Sequence, residues 1–205
     1  MLESARQRGN GTTAVYIGNS TVSSNLGGEV GGVAGTDIEL AHATVANNQQ
    51  VSSLNEAAHS RGFPRVGGLL LFTNDDFLID HTILAGNSTD DANGANDLWF
   101  PGSDPIEMSF SLLQDDDGIT VTGSGNILGE DPLLGPLDFD GSAWSKTHAL
   151  LEGSPAIDAG DPAITSAPFY DQRGQGFPRI FNDVIDIGAY ELVIDGIYAD
   201  RFESP

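Results

Sequence analysis

FLIDHTILAGN, residues Phe77 to Asn87, is the stretch on which the fold turns. It is the cleanest of four segments that fall into one register when their last residues are superposed. The others are Tyr16 to Asn25 (YIGNSTVSSN), Glu39 to Asn48 (ELAHATVANN) and Glu107 to Asp116 (EMSFSLLQDD). Each carries an aliphatic residue (Ile17, Leu40, Ile79, Met108) and, two places on, a polar or ring residue (Asn19, His42, His81, Phe110). A second aliphatic follows at Val22, Val45, Leu84 and Leu113, then a polar turn residue at Asn25, Asn48, Asn87 and Asp116.

The second aliphatic positions lie 23, 39 and 29 residues apart, an irregular period with a floor near 23. Short β-branched segments punctuated by Gly and Asn at such a period indicate one coil of chain per repeat. A second strand recurs at Gly31-Gly32-Val33, Gly67-Gly68-Leu69 and Asn96-Asp97-Leu98, so each coil carries at least two strands. The expected fold is all-β: a right-handed parallel β-helix, a solenoid with an irregular C-terminal cap. In it the turn asparagines stack amide on amide and take the left-handed conformation that Asn tolerates. An antiparallel β-sandwich is the alternative, since its short strands also recur with turn signals between them.

The pattern divides the chain into coils over 1–127, a closing segment over 128–191 and an acidic-aromatic tail over 192–205. Two excursions leave the coils, Gln49 to Gly67, with a short helix expected at Ser53 to Ser60, and Ser88 to Asn96. Beyond Gly118 the period is lost. The first strand begins near Ala14, which leaves little chain to cover the first coil, so upstream coils of a longer chain or a partner are expected there.

Of 205 residues 26 are Gly, which suits a fold of tight turns. Thirty acidic against 8 basic residues give a net charge of −22, which argues against nucleic acid or an anionic membrane surface as partner. There is no cysteine, hence no disulfide or thiol chemistry. No apolar run is long enough to span a membrane, and MLESARQRGNGTTAV lacks the apolar centre of a signal peptide.

The closing segment carries Asp131-Pro132-Leu133-Leu134, Thr147-His148-Ala149-Leu150 and Gly153-Ser154-Pro155-Ala156-Ile157-Asp158-Ala159-Gly160. Asp171-Gln172-Arg173-Gly174, Pro178-Arg179 and Asp186-Ile187-Gly188-Ala189-Tyr190-Glu191 follow in order. This succession closely resembles the choice-of-anchor Q domain over about residues 95 to 191, departing from it at Asp138-Phe139-Asp140-Gly141. The resemblance implies a module that closes β-helix proteins secreted by bacteria or held at their surface. It also implies a secreted or cell-surface location. The tail Ile197 to Glu203 is similar to a short sorting or anchoring signal.

The charged groups of these motifs, Asp158, Asp161, Asp171, Arg173, Arg179, Asp183, Asp186 and Glu191, sit in Pro- and Gly-rich turns. There they are expected to fix irregular backbone through charge-assisted hydrogen bonds rather than to act as a glycosidase carboxylate pair. No catalytic residue is therefore assigned, and the expected function is a scaffold, an adhesin-like surface or a glycan-binding face. The alternative is a polysaccharide lyase or glycoside hydrolase working along the coil face with His59, Arg61, Arg65, Asp75, Asp76 and His81, and with Asp80 as a further carboxylate. His42 and His81 at equivalent repeat positions instead suggest a stacked ladder. Asp115, Asp116 and Asp117 are the candidate metal ligands, and calcium is the ion that clustered carboxylates would favour; no other cofactor is expected. Trp144 is the candidate glycan contact, while Trp99 is expected at the join between coils and cap.

Overall fold

The computed structural model describes residues 6–7, 13–54, 64–73, 77–102 and 104–193. The chain opens with β1 (Arg6–Gln7) and then runs through three repeats of strands. These are β2 (Thr13–Ser23), β3 (Leu26–Gly27) and β4 (Val33–Gly35); then β5 (Ile38–Ala46), β6 (Gln49–Gln50) and β7 (Leu69–Leu71). The third comprises β8 (Leu78–Asp80), β9 (Ile83–Ala85), β10 (Ser88–Thr89) and β11 (Leu98–Trp99). After them come β12 (Ile106–Glu107), β13 (Leu112–Leu113), β14 (Val121–Thr122) and β15 (Ile127–Leu128). Like strands of successive repeats pair in parallel, giving the ladders β2-β5-β9-β13-β15, β3-β6-β10 and β4-β7-β11, while β12 pairs with β14. The protein is thus all-β with parallel sheets, which removes the antiparallel sandwich.

The register matches the sequence alignment: Ile17 pairs with Leu40 and Leu40 with Ile79, and Val22, Val45, Leu84 and Leu113 form one column. The two aliphatics of each repeat are five residues apart, so the strand period of two would send them to opposite faces. A single left-handed residue between them resets the alternation. That residue is Asn19, His42, His81 or Phe110, at φ of 49°, 53°, 45° and 43°. Both aliphatics therefore point into one core with Leu69, Leu71, Leu98, Phe100 and Ile106.

The asparagines stack as expected, but they are not the left-handed residues. Ser24, Asn47 and Gly86, each one position earlier, carry the positive φ. Nor does Asp116 join the column. Asn87 donates instead to the buried Asp97 carboxylate, at 3.0 Å from its backbone N–H and 2.8 Å from Nδ2. Gly68, which precedes Asp97 in its own column, leaves the room this needs: a Cβ there would lie 2.9 Å from Asn87 Nδ2.

Parallel pairing does not end at Gly118. It continues to Leu128 through a shorter rung, in which Ile106 pairs with Val121 and Leu112 with Ile127. The closing segment departs further from expectation. After the antiparallel hairpin β16 (Leu134–Asp138) and β17 (Thr147–Leu150), it runs along the side of the first ladder. Outward-facing Ile83, Ala85 and Leu112 pack with Leu150, Ala156 and Ile187 in a second core. His148 Nε2 lies 2.7 Å from Ser23 Oγ, Ala189 N–H donates to Thr44 Oγ1 and Gly188 N–H to the His81 carbonyl. One sheet is therefore buried on both faces, which is why β9 and β13 are apolar without alternation.

At the start of the chain, β1 pairs antiparallel with the first residues of β2. In the first excursion Ser52–Leu54 form a 3₁₀ turn, and the rest of the expected helix lies outside the described residues, as does the acidic-aromatic tail beyond residue 193. Trp99 does not sit at the join with the closing segment; it packs beside Val66, Leu70 and Ala95 on the outside of the third ladder.

Candidate functional site

Two clusters of titratable groups meet where the closing segment crosses the first ladder. The first is the ring column at the left-handed corner. His42 and His81 have ring centroids 4.9 Å apart, and His81 stacks on Phe110 at 5.4 Å. Consecutive rungs of parallel sheet hold like side chains about one strand spacing apart, which is what a ring stack requires. Asp80 and His81, with Ser109, Phe110, Asp161 and 163–166, line an open cleft of about 330 Å³.

His42, Asp80 and His81 each bring one potential metal-binding atom within 4.8 Å of the others. The hydrogen bonds decide what this trio can do. Asp161 N–H donates to His81 Nε2 at 2.9 Å, so in the neutral ring the proton sits on Nδ1. That nitrogen lies 2.9 Å from Asp80 Oδ2 but is not aligned for a hydrogen bond. His81 therefore has no lone pair free toward the trio, and its other nitrogen is unavailable as a general base. His42 is held neutral: burial first, then the Arg179 and His81 charges, lowers its pKa to about 3. With Nε2 accepting a backbone N–H and Nδ1 carrying the ring proton, His81 offers the trio neither a metal-ligating lone pair nor a free base.

The second cluster is Asp171, Arg173, Arg179, Asp186 and Glu191, all buried. Asp171 Oδ2 accepts from Arg173 Nε, Arg173 Nη2 and the Glu191 backbone N–H. Arg173 lies between the rings of Phe177 and Tyr190, at 4.1 and 3.8 Å from their centroids. Arg179 donates to Glu191 Oε2 at 3.0 Å and to the carbonyls of Asp186 and Gly188. Glu191 also accepts the N–H groups of Phe181 and Asp186, and Asp186 accepts those of Asp158 and Leu192. Burial pushes Asp186 up to about 6; burial and the neighbouring Asp186 push Glu191 up to about 8. These groups are committed to backbone that forms no sheet, the role the charged motif residues were expected to fill.

The remaining candidates scatter. His59, Arg61, Asp75 and Asp76 lie outside the described residues. Arg65 is buried beside the third ladder, and His81 sits under the closing segment. Asp115, Asp116 and Asp117 do not converge on a metal position. Asp115 accepts from Asn96 Nδ2 and Asp117 N–H, Asp116 from Gly118 N–H, and Asp117 from Asn96 N–H, so each closes a turn or braces a loop. Phe100 is in the core, whereas Trp144 is 92% exposed on the loop after β16. Phe169 is 94% exposed, and Gln172, three residues on, bonds to Ser145 Oγ and the Lys146 carbonyl. A second cleft of about 340 Å³ is lined by Trp99, Asp104 and Asp117 among others.

Asp97 escaped sequence reasoning as a ladder residue, although its place in the column of Gly32 and Gly68 is the signal that reveals it. No known protein family, curated protein or solved structure matches the chain. Among the described residues no helix is long and apolar enough to cross a membrane.

Proposed function

We propose that the chain is a non-catalytic C-terminal module of an exported bacterial surface protein. In this account it is a right-handed parallel β-helix closed by a segment of choice-of-anchor Q type, and it serves as a rigid scaffold with an adhesin-like or glycan-binding face. One observation carries this reading. The groups best suited to chemistry, His81 and the buried carboxylates of the closing segment, are bonded to backbone N–H groups that hold the segment in place. A site arranged for turnover keeps its acid or base within reach of substrate. The exposed aromatics Trp144 and Phe169 supply flat apolar faces of the kind that stack on sugar rings.

The test is incubation with a panel of acidic and neutral polysaccharides, with and without calcium, reading unsaturated products, new reducing ends and retention of the protein. Retention without cleavage is expected, and Trp144→Ala should weaken it while leaving the thermal midpoint unchanged. Cleavage of any glycan would overturn the proposal in favour of a lyase or hydrolase.

A further inference from the structure

The asparagine column has a direction. At every step one residue donates, from its backbone N–H and its Nδ2, to a single side-chain oxygen, first down the asparagine column and last to Asp97 in the neighbouring column. Asn25 donates to Asn48 Oδ1 at 3.1 and 2.8 Å, Asn48 to Asn87 Oδ1 at 3.0 and 2.9 Å, and Asn87 to Asp97 Oδ1 at 3.0 and 2.8 Å. The far end is closed. Asp97 receives both bonds on one oxygen, and its Oδ2 accepts Asp115 N–H at 2.9 Å. The near end is open: among the described residues no donor reaches Asn25 Oδ1, and Asn25 is exposed.

The same edge is unfinished in its backbone and its core. Among the described residues β1 covers β2 only at Thr13 and Ala14, and β3 and β4 are the outermost strands of their ladders. The apolar column runs out to this face. Val22 and Val33 are only partly buried, whereas Leu40, Val45 and Leu69 behind them are fully so. Val15 is 53% and Leu26 65% exposed on this edge.

We propose that the outer edge of the first repeat is a docking surface for one further parallel β-repeat whose column residue is an asparagine donating to Asn25 Oδ1. This rests on the β-helix reading above. The donor requirement follows from the column itself, since an aspartate there would set a carboxylate against the Asn25 carbonyl oxygen. It also disfavours a second copy meeting this edge face to face, which would bring two Oδ1 acceptors together and run the edge strands antiparallel. An exposed strand edge with a graded apolar core behind it recruits a strand by backbone pairing, and the side-chain column selects the register.

The experiment extends the full chain, replacing residues 1–12 with a second copy of residues 13–35, which matches the 23-residue step between the first two repeats. Amide hydrogen exchange is read along the original β2. The copy should slow exchange there about tenfold or more, and Asn25→Asp within the added copy should return most of it. Equal protection by the Asn and Asp copies would overturn the proposal. So would an added copy that exchanges freely while β5 and β9 stay protected. Free exchange in β5 and β9 themselves would bring down the β-helix reading, and this proposal with it.

Discussion

His42 occupies a left-handed corner, buried and neutral, its ring tilted 37° against that of His81. Its pKa falls from 6.5 to about 3 on folding, so the folded state binds fewer protons than the unfolded chain between those values. The His42 contribution is thus complete above about pH 6.5 and lost as pH falls toward 3. His42→Phe, which copies Phe110 at the equivalent corner, should flatten the decline in stability over that window by up to about 4 kcal/mol. Urea midpoints at pH 7 and pH 4 for both proteins check this, and parallel declines would contradict it. The asparagine column gives a second contrast. Asn48 accepts two bonds and donates from its side chain to Asn87 and to the Val22 carbonyl, whereas Asn25 is exposed at the open end. Asn48→Ala should cost about 2–4 kcal/mol and Asn25→Ala about 1 kcal/mol, read by denaturant unfolding. The repeat positions of these residues were legible in the sequence, because a column forces like residues into like places. Which of them turn left-handed was not: the asparagine amides do the stacking, and the residues before them make the turn.

The elements are shaped by close approach and by buried charge. Glycine at Gly68 is required by space, since a Cβ would lie 2.4 Å from the Asp97 carbonyl and 2.9 Å from Asn87 Nδ2. Gly118 has φ of 78° and nothing within 4 Å of its would-be Cβ. Gly68→Ala should therefore cost well over 2 kcal/mol, and Gly118→Ala about 1 kcal/mol, the strain of a left-handed alanine alone. Chemical denaturation separates the two, and equal losses would refute the packing argument. In the closing segment Arg179→Ala would strand Glu191 and the Asp186 and Gly188 carbonyls, at about 3–5 kcal/mol. A loss confined to the closing segment should appear as faster proteolysis there while β5 keeps its exchange protection. The charged motifs announced a structural network in the sequence, because Asp and Arg among Gly and Pro have irregular backbone to satisfy. Their destination was hidden. Lying against the side of the first ladder depends on outward residues such as Ile83 and Leu112, whose partners Leu150, Ala156 and Ile187 lie far along the chain.

At the scale of the whole molecule, the parallel pairing was legible and the enclosure was not. Four segments in one register imply like strands side by side, and the observed ladders pair Leu40 with Ile79 and Val45 with Leu84 as the alignment requires. The proposed function uses that frame, because the first ladder is buried on both faces and the exposed aromatics lie outside it. Trp144 and Phe169 stand exposed on the closing segment. Replacing both with alanine should abolish retention on any glycan that binds, with the circular dichroism spectrum unaltered. The chain has no cysteine, which makes the register directly testable by introduced pairs. Leu26 and Gln49 are registered partners in adjacent rungs, and both side chains are exposed. The double variant Leu26→Cys with Gln49→Cys should oxidise to an intramolecular disulfide in the folded protein, and the shifted pair Leu26→Cys with Val51→Cys should remain reduced. Cross-linking of the shifted pair in place of the registered one would contradict the in-register parallel stack on which the account stands.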